Sequence, residues 1–146
     1  MTQAWRVLSE KRAQEVSKAQ VVVATCVEKK KTIEEQMEKL DELINEYSKE
    51  LFRAKKDGVA DVGASNLRRQ FIAEVQQARD GLNHENSMLE IDLRVAREAL
   101  QEKRLEEMKA KKMLERDQER TERNNNLQER KDFESTALNQ FNLRNI

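Results

Sequence analysis

Proline is missing from this chain of 146 residues, and only three glycines interrupt it. Aromatic residues make up 4% of the sequence, too few for the core of a conventional globular domain of this length. Cys26 is the single cysteine, so an intramolecular disulfide is excluded, as suits a reducing cytoplasm. No cluster of Cys and His has metal-ligand spacing, so neither a metal nor a cofactor is expected. No apolar run approaches the ~20 residues of a spanning helix, and the N-terminus lacks the basic-then-apolar order of a signal peptide. Direct membrane insertion is therefore not expected. Charge of one sign is lacking too: 28 Lys and Arg balance 28 Asp and Glu. No net field remains to gather nucleic acid or hold an anionic membrane.

Catalytic signatures are equally thin. Gly58, Gly63 and Gly81 are too scattered for a phosphate-binding loop, and none precedes a Lys-Ser or Lys-Thr pair. His84 is the only histidine and has no neighbouring cysteine or strand-and-turn scaffold, so it reads as a surface side chain. Carboxylates are abundant, but paired helices give them no concave pocket to shift their pKa values. The basic residues of 101–131 are matched by acids and lack aromatic stacking platforms, which argues against RNA. No enzyme is expected.

What is present is charge and helical periodicity. Charged residues make up 38% of the chain, in a helix-forming composition with no strand-like run. From Val16 to Leu51 a seam at alternating spacings of three and four passes through Val16, Ala19, Val23, Cys26, Lys30, Ile33, Met37, Leu40, Ile44, Tyr47 and Leu51. Lys30 is its polar exception, and such a seam requires a covering helix. Lys55, Lys56, Asp57 and Gly58 are stop signals: cations in a last turn, then a glycine able to take a left-handed cap. Asp61 or Ser65 can cap a second helix, in which apolar periodicity resumes at Phe71, Val75, Ala78, Leu82, Leu89, Ala96 and Leu100.

Folding the chain back at residue 61 pairs Leu51 with Phe71, Tyr47 with Val75, Ile44 with Ala78, Leu40 with Leu82, Ile33 with Leu89 and Cys26 with Ala96. It also sets Lys30 against Asp92, a charge pair of the kind that fixes register. The match weakens at Met37 with Glu85 and thins beyond Leu100, so the end with both termini is expected to be looser. Residues 101–130 mix basic and acidic side chains at helical spacing and can stay helical while solvated. The second helix should overhang the first, with a fraying point at "NNN" (124–126) and unpartnered Phe133, Leu138 and Phe141 beyond it. The expected fold is all-α: an antiparallel two-helix coiled-coil hairpin with a longer second helix. One domain, 1–146, is expected, with helix 1 over about 4–56, a turn over 57–65 and helix 2 over about 66–140.

A helix ending in "LDELINEYSKEL", a glycine-bearing break, a second helix opening "NLRRQFIAEVQQA" and a charged tail with "ERKDFESTALNQF" together resemble the FliJ family. These are small cytoplasmic proteins of the bacterial flagellar type III export apparatus, with an injectisome counterpart in the YscO family. The resemblance covers nearly the whole chain, and the Tyr before the break and the "QF" after it are its sharpest features. It implies a monomeric, non-enzymatic stalk and adaptor, peripheral to the inner membrane. Its implied partners are a hexameric export ATPase, whose central hole takes the paired terminal parts of the helices, and the transmembrane export gate protein. Export chaperones are further candidate partners.

The family's gate-contact pattern falls on Gln36, Leu40, Leu43 and Tyr47 of the first helix and on Phe71, Val75, Ala78 and Leu82 of the second. Leu43 stands where an aromatic is frequent, Leu82 where a polar residue or histidine is found, and "KDFE" replaces adjacent acids in the tail. Candidates for the ATPase ring are Trp5, Leu8, Leu114 and Phe133. The same residues also admit plain packing roles, Trp5 as a core cap among them. Three other functions fit such a hairpin: a chaperone for export substrates, an injectisome stalk, and a structural coiled coil that dimerises through its overhang.

Overall fold

Helix is the local preference along almost the entire sequence, and a seam at coiled-coil spacing needs a second helix to cover it. A computed structural model describes residues 2–56, 58 and 62–145. It contains two α-helices, α1 (Thr2–Lys56) and α2 (Val62–Arg144), and no strand among the described residues. The fold is an antiparallel helical hairpin whose second helix is the longer, 83 residues against 55. Arg53, Lys55 and Lys56 occupy the last turn of α1, where cations meet the negative end of the helix dipole. Gly58 takes φ 69°, a left-handed conformation that spares glycine the Cβ clash other residues incur.

Two differences from the sequence reading lie at the ends of α2. It begins at Val62, so Gly63 and Ser65 are helical and Ser65 is no cap; the expected turn is shorter at its C-terminal side. Asp57 and Asp61, the other residues assigned to the turn and cap, lie outside the described residues. α2 also runs unbroken through "NNN", ending at Arg144. Asparagine is only a mediocre helix former, and a few tenths of a kcal/mol per residue do not break a helix flanked by charged pairs such as Glu119 with Arg123.

The chain divides into two compact units, one of Met1–Lys18 with Gln101–Ile146, the other of Ala19–Leu100. In the second unit, every α1 seam position expected from Ala19 to Leu51 is at least half-buried. From Arg68 onward the sheltered residues of α2 in this unit are Arg68, Ile72, Val75, Arg79, Leu82, Asn86, Leu89, Leu93, Ala96 and Leu100, an unbroken alternation of four and three. Phe71 and Ala78 are thus flanking, exposed positions and not seam members. The apolar choice at each step favoured them over Ile72 and Arg79, which keep the spacing.

The register differs accordingly. Tyr47 meets Phe71 in place of Val75, and Lys30 meets Glu90 in place of Asp92. Each partner therefore sits two to four residues nearer the turn than expected. The early start of α2 accounts for the direction of the slip. So does the rule that facing antiparallel seams interleave knobs into holes, without setting equivalent positions head on.

In the first unit the seam continues through Trp5, Ser9, Arg12 and Val16 of α1, and through Lys103, Glu107, Ala110, Leu114 and Asp117 of α2. Thr2 donates its hydroxyl to Asp117 Oδ2 at 2.6 Å, which fixes the antiparallel pairing here. Ser9, Val16 and Ala110 are among the most deeply buried residues of the chain, so this pairing is not the loose one expected. Small side chains at Ser9 and Ala110 allow close backbone approach, and the charged residues Arg12, Glu15, Lys103 and Glu106 are paired with one another. After Asp117 every described residue of α2 is exposed.

Candidate functional site

Four of the eight expected gate-contact residues, Leu40, Tyr47, Val75 and Leu82, are sheltered seam positions, while Gln36, Leu43, Phe71 and Ala78 flank the seam. Within each helix the flanking residues lie one heptad apart, as do the seam residues. Heptad spacing puts residues on one face of each helix, and antiparallel pairing brings the two faces together along one side of the Ala19–Leu100 unit. Gln36, Phe71 and Ala78 are exposed, and Leu43 is half-buried.

The sharpest contact on this side is between the rings of Tyr47 and Phe71, with centroids 4.5 Å apart and planes tilted by 49°. Phe71 remains 37% exposed, so its outer face is free for a partner while its inner face holds Tyr47. Arg79 stands on the same unit's seam, where its guanidinium donates to Asp41 of α1. That hydrogen bond raises the Arg79 pKa above its ordinary value. Farther toward the turn, Arg68 approaches Glu50 at 3.7 Å. These two cross-helix pairs bracket the aromatic contact and fix the register that creates it.

The ring candidates distribute differently. Trp5, Leu8 and Leu114 are half-buried where α1 and α2 pair in the terminal unit, and the observed register sets Leu114 opposite Trp5. Phe133 lies on the exposed part of α2 and is 75% accessible. The structure brings the first three to one neighbourhood and leaves Phe133 outside it. Beside them is a four-residue ion network. Arg12 Nη1 donates to Glu15 Oε2 at 3.0 Å and approaches Glu106 at 3.3 Å, while Lys103 lies 3.7 Å from Glu15 and 3.8 Å from Glu106. The hydrogen bond from Arg12 holds the Glu15 carboxyl below the usual carboxylate range, with Arg12, Lys103 and Lys11 adding attraction and desolvation opposing it.

Residues missed from the sequence are the polar seam members. Arg79, Asn86, Lys103 and Glu107 occupy core spacing, and strict alternation of four and three from Val75 would have found them. A depression of about 620 Å³ beside Leu43 is lined by Lys39, Glu42, Asn45, Glu46 and Lys49, all from α1, and is open to solvent. Among the described residues no group of His, Cys, Asp and Glu could hold a metal ion, and no helix is long and apolar enough to cross a membrane.

No curated protein and no solved structure matches the chain significantly. The family model described as "Flagellar FliJ protein" matches residues 4–145. A two-helix hairpin of this kind, matched over almost its whole length, belongs to the FliJ family and is a component of the flagellar protein export apparatus.

Proposed function

We propose that the protein is a non-enzymatic stalk and adaptor that couples the hexameric export ATPase to the transmembrane export gate, working at the cytoplasmic face of the inner membrane. The observation that carries this reading is the shared side of Gln36, Leu43, Phe71 and Ala78. On that side Phe71 presents an accessible ring backed by Tyr47. An accessible aromatic held by a packed neighbour is pre-ordered for binding, because little side-chain freedom is lost on contact.

The terminal unit supports the other half of the reading. Trp5, Leu8 and Leu114 give it apolar contact points, and the Arg12, Glu15, Lys103 and Glu106 network keeps its surface polar. A mostly solvated surface can seat in a ring without irreversible association. Coupling of this type is associative and mechanical, and it requires no reacting group on the chain itself.

The test uses the purified full chain with the matching export ATPase and with the cytoplasmic linker of the gate protein. The chain should stimulate ATP hydrolysis, and Trp5→Ala should weaken that stimulation. Combined Tyr47→Ala and Phe71→Ala should lower gate binding at least tenfold while leaving ATPase stimulation in place. Binding to neither partner would overturn the proposal, and selective binding to unfolded export clients would point to a chaperone instead.

A further inference from the structure

A second feature of the Ala19–Leu100 unit lies along the same side as the aromatic pair, away from the turn. Here a groove of about 510 Å³ opens between α1 and α2 over Ile33, Met88 and Leu89. Ile33 and Leu89 are seam residues left half-open, and Met88 lies outside the seam with 50% of its surface exposed. The floor is therefore apolar, and methionine makes it adaptable in shape.

The rim is charged and unbalanced. Glu28, Glu85 and Asp92 carry three carboxylates against the single cation of Lys29. Among the described residues none of these four takes part in an ion pair, whereas the acids on the opposite flank, Glu34 and Glu90, are both held by Lys30 at 3.5 and 3.4 Å. The groove's acids are thus free to meet charges from outside. Their potential, summed at the edges of an apolar floor, favours a cationic partner.

Shape decides the class of that partner. A small-molecule site encloses most of its ligand, whereas this groove is shallow and open to solvent between two parallel-running ridges. An apolar trough between helices takes the apolar face of a third helix, read as anchors at i, i+3, i+4 and i+7. We infer that this groove docks an amphipathic helix from a protein partner, with apolar anchors over Ile33, Met88 and Leu89 and Lys or Arg on its flanks facing Glu85, Asp92 and Glu28. The site is separate from the Tyr47 and Phe71 patch, and it does not depend on the gate reading.

The experiment uses the full chain labelled at the methionine methyls and a monomeric helical peptide with leucine at heptad core positions flanked by lysine. A second peptide carries glutamate in place of lysine. The lysine peptide should shift the Met88 methyl signal while Met108 and Met113 stay in place, and the glutamate peptide should bind at least tenfold more weakly. Glu85→Lys combined with Asp92→Lys, both exposed positions that leave the seam intact, should weaken the lysine peptide at least tenfold with unchanged circular dichroism. Equal binding by the charge-reversed variant, or shifts confined to Met108 and Met113, would overturn the proposal. So would a stable dimer in sedimentation that protects Met88, because a second copy would then fill the groove.

Discussion

The ring of Tyr47 rests against the ring of Phe71 across the two helices, at 4.5 Å between centroids. One ring belongs to the seam and is half-buried; the other flanks the seam and keeps 37% of its surface open. Loss of the two rings should therefore act differently. Tyr47→Ala is expected to destabilise the hairpin by about 2 kcal/mol, since a partly buried aromatic leaves a gap in the seam. Phe71→Ala should cost no more than about 1 kcal/mol, and a double-mutant cycle should return a coupling near 1 kcal/mol. Urea denaturation followed by far-UV circular dichroism measures all three quantities.

The observed register makes a charge-swap prediction. Lys30 lies 3.4 Å from Glu90 and 3.5 Å from Glu34. Lys30→Glu should destabilise by about 1 kcal/mol, because it replaces two attractions with two repulsions at a partly sheltered position. Adding Glu90→Lys should restore most of the loss, whereas adding Asp92→Lys should restore little. Rescue by Asp92→Lys in preference to Glu90→Lys would reinstate the register expected from sequence.

That contrast marks where sequence reasoning stops. Two helices, a break at Gly58 and the first seam were legible, because apolar residues there keep the coiled-coil period with one exception. The second seam was legible in part: Val75, Leu82, Leu89, Ala96 and Leu100 belong to it, but Arg79, Asn86 and Lys103 complete it with polar groups whose tolerance depends on partners in the other helix. Arg79 stays in the seam because its long stem packs there while its head reaches Asp41. Once Arg79 is admitted, Leu93 falls into the core, where it is 7% exposed. Ala78 and Phe71 move out to the flank beside Gln36 and Leu43, while Leu40, Tyr47, Val75 and Leu82 stay sheltered.

Two glycines should respond to the same substitution with opposite signs. Gly81 is helical, and a Cβ added there meets nothing within 4 Å. Gly81→Ala should stabilise by about 0.5–1 kcal/mol, since alanine restricts the unfolded chain and fits the helix. Gly58 has equally open space, but its φ is +69°. Gly58→Ala should cost about 1 kcal/mol for placing a Cβ in the left-handed region. Thermal unfolding of both variants under one set of conditions checks the signs directly.

Acid should act on the terminal unit through Glu15. Its carboxyl is held below the ordinary range chiefly by the hydrogen bond from Arg12. A depressed folded-state pKa means that the unfolded chain takes up this proton first as pH falls. The stability linked to Glu15 is thus fully present above the ordinary glutamate value of about 4.3 and is lost as pH drops through the lower folded value. The stability difference between the native chain and Glu15→Gln should be constant near neutrality and shrink below about pH 4. A carboxyl NMR titration of Glu15 should give a midpoint below the ordinary glutamate value.

The exposed part of α2 supplies the last prediction. From Gln118 onward no described side chain is sheltered, and Phe133, Leu138 and Phe141 are 75%, 62% and 62% exposed. This helix is held by contacts within itself: Glu119 lies 3.9 Å from Arg123, and Gln128 donates to Asp132 at 3.2 Å. Such pairs contribute only about 0.2–0.5 kcal/mol each, and a helix without tertiary packing opens easily. Deleting residues 118–146 should then reduce the total helical signal while changing the unfolding free energy of the remaining hairpin by less than about 0.5 kcal/mol. Hydrogen exchange on the full chain should show weak protection after Asp117 and strong protection around Leu93, Ala96, Leu100 and Ala110, which are 4–8% exposed. Strong protection of the Phe133 to Phe141 stretch in the isolated chain would mean that its apolar side chains are covered, and would contradict the exposure on which this prediction rests.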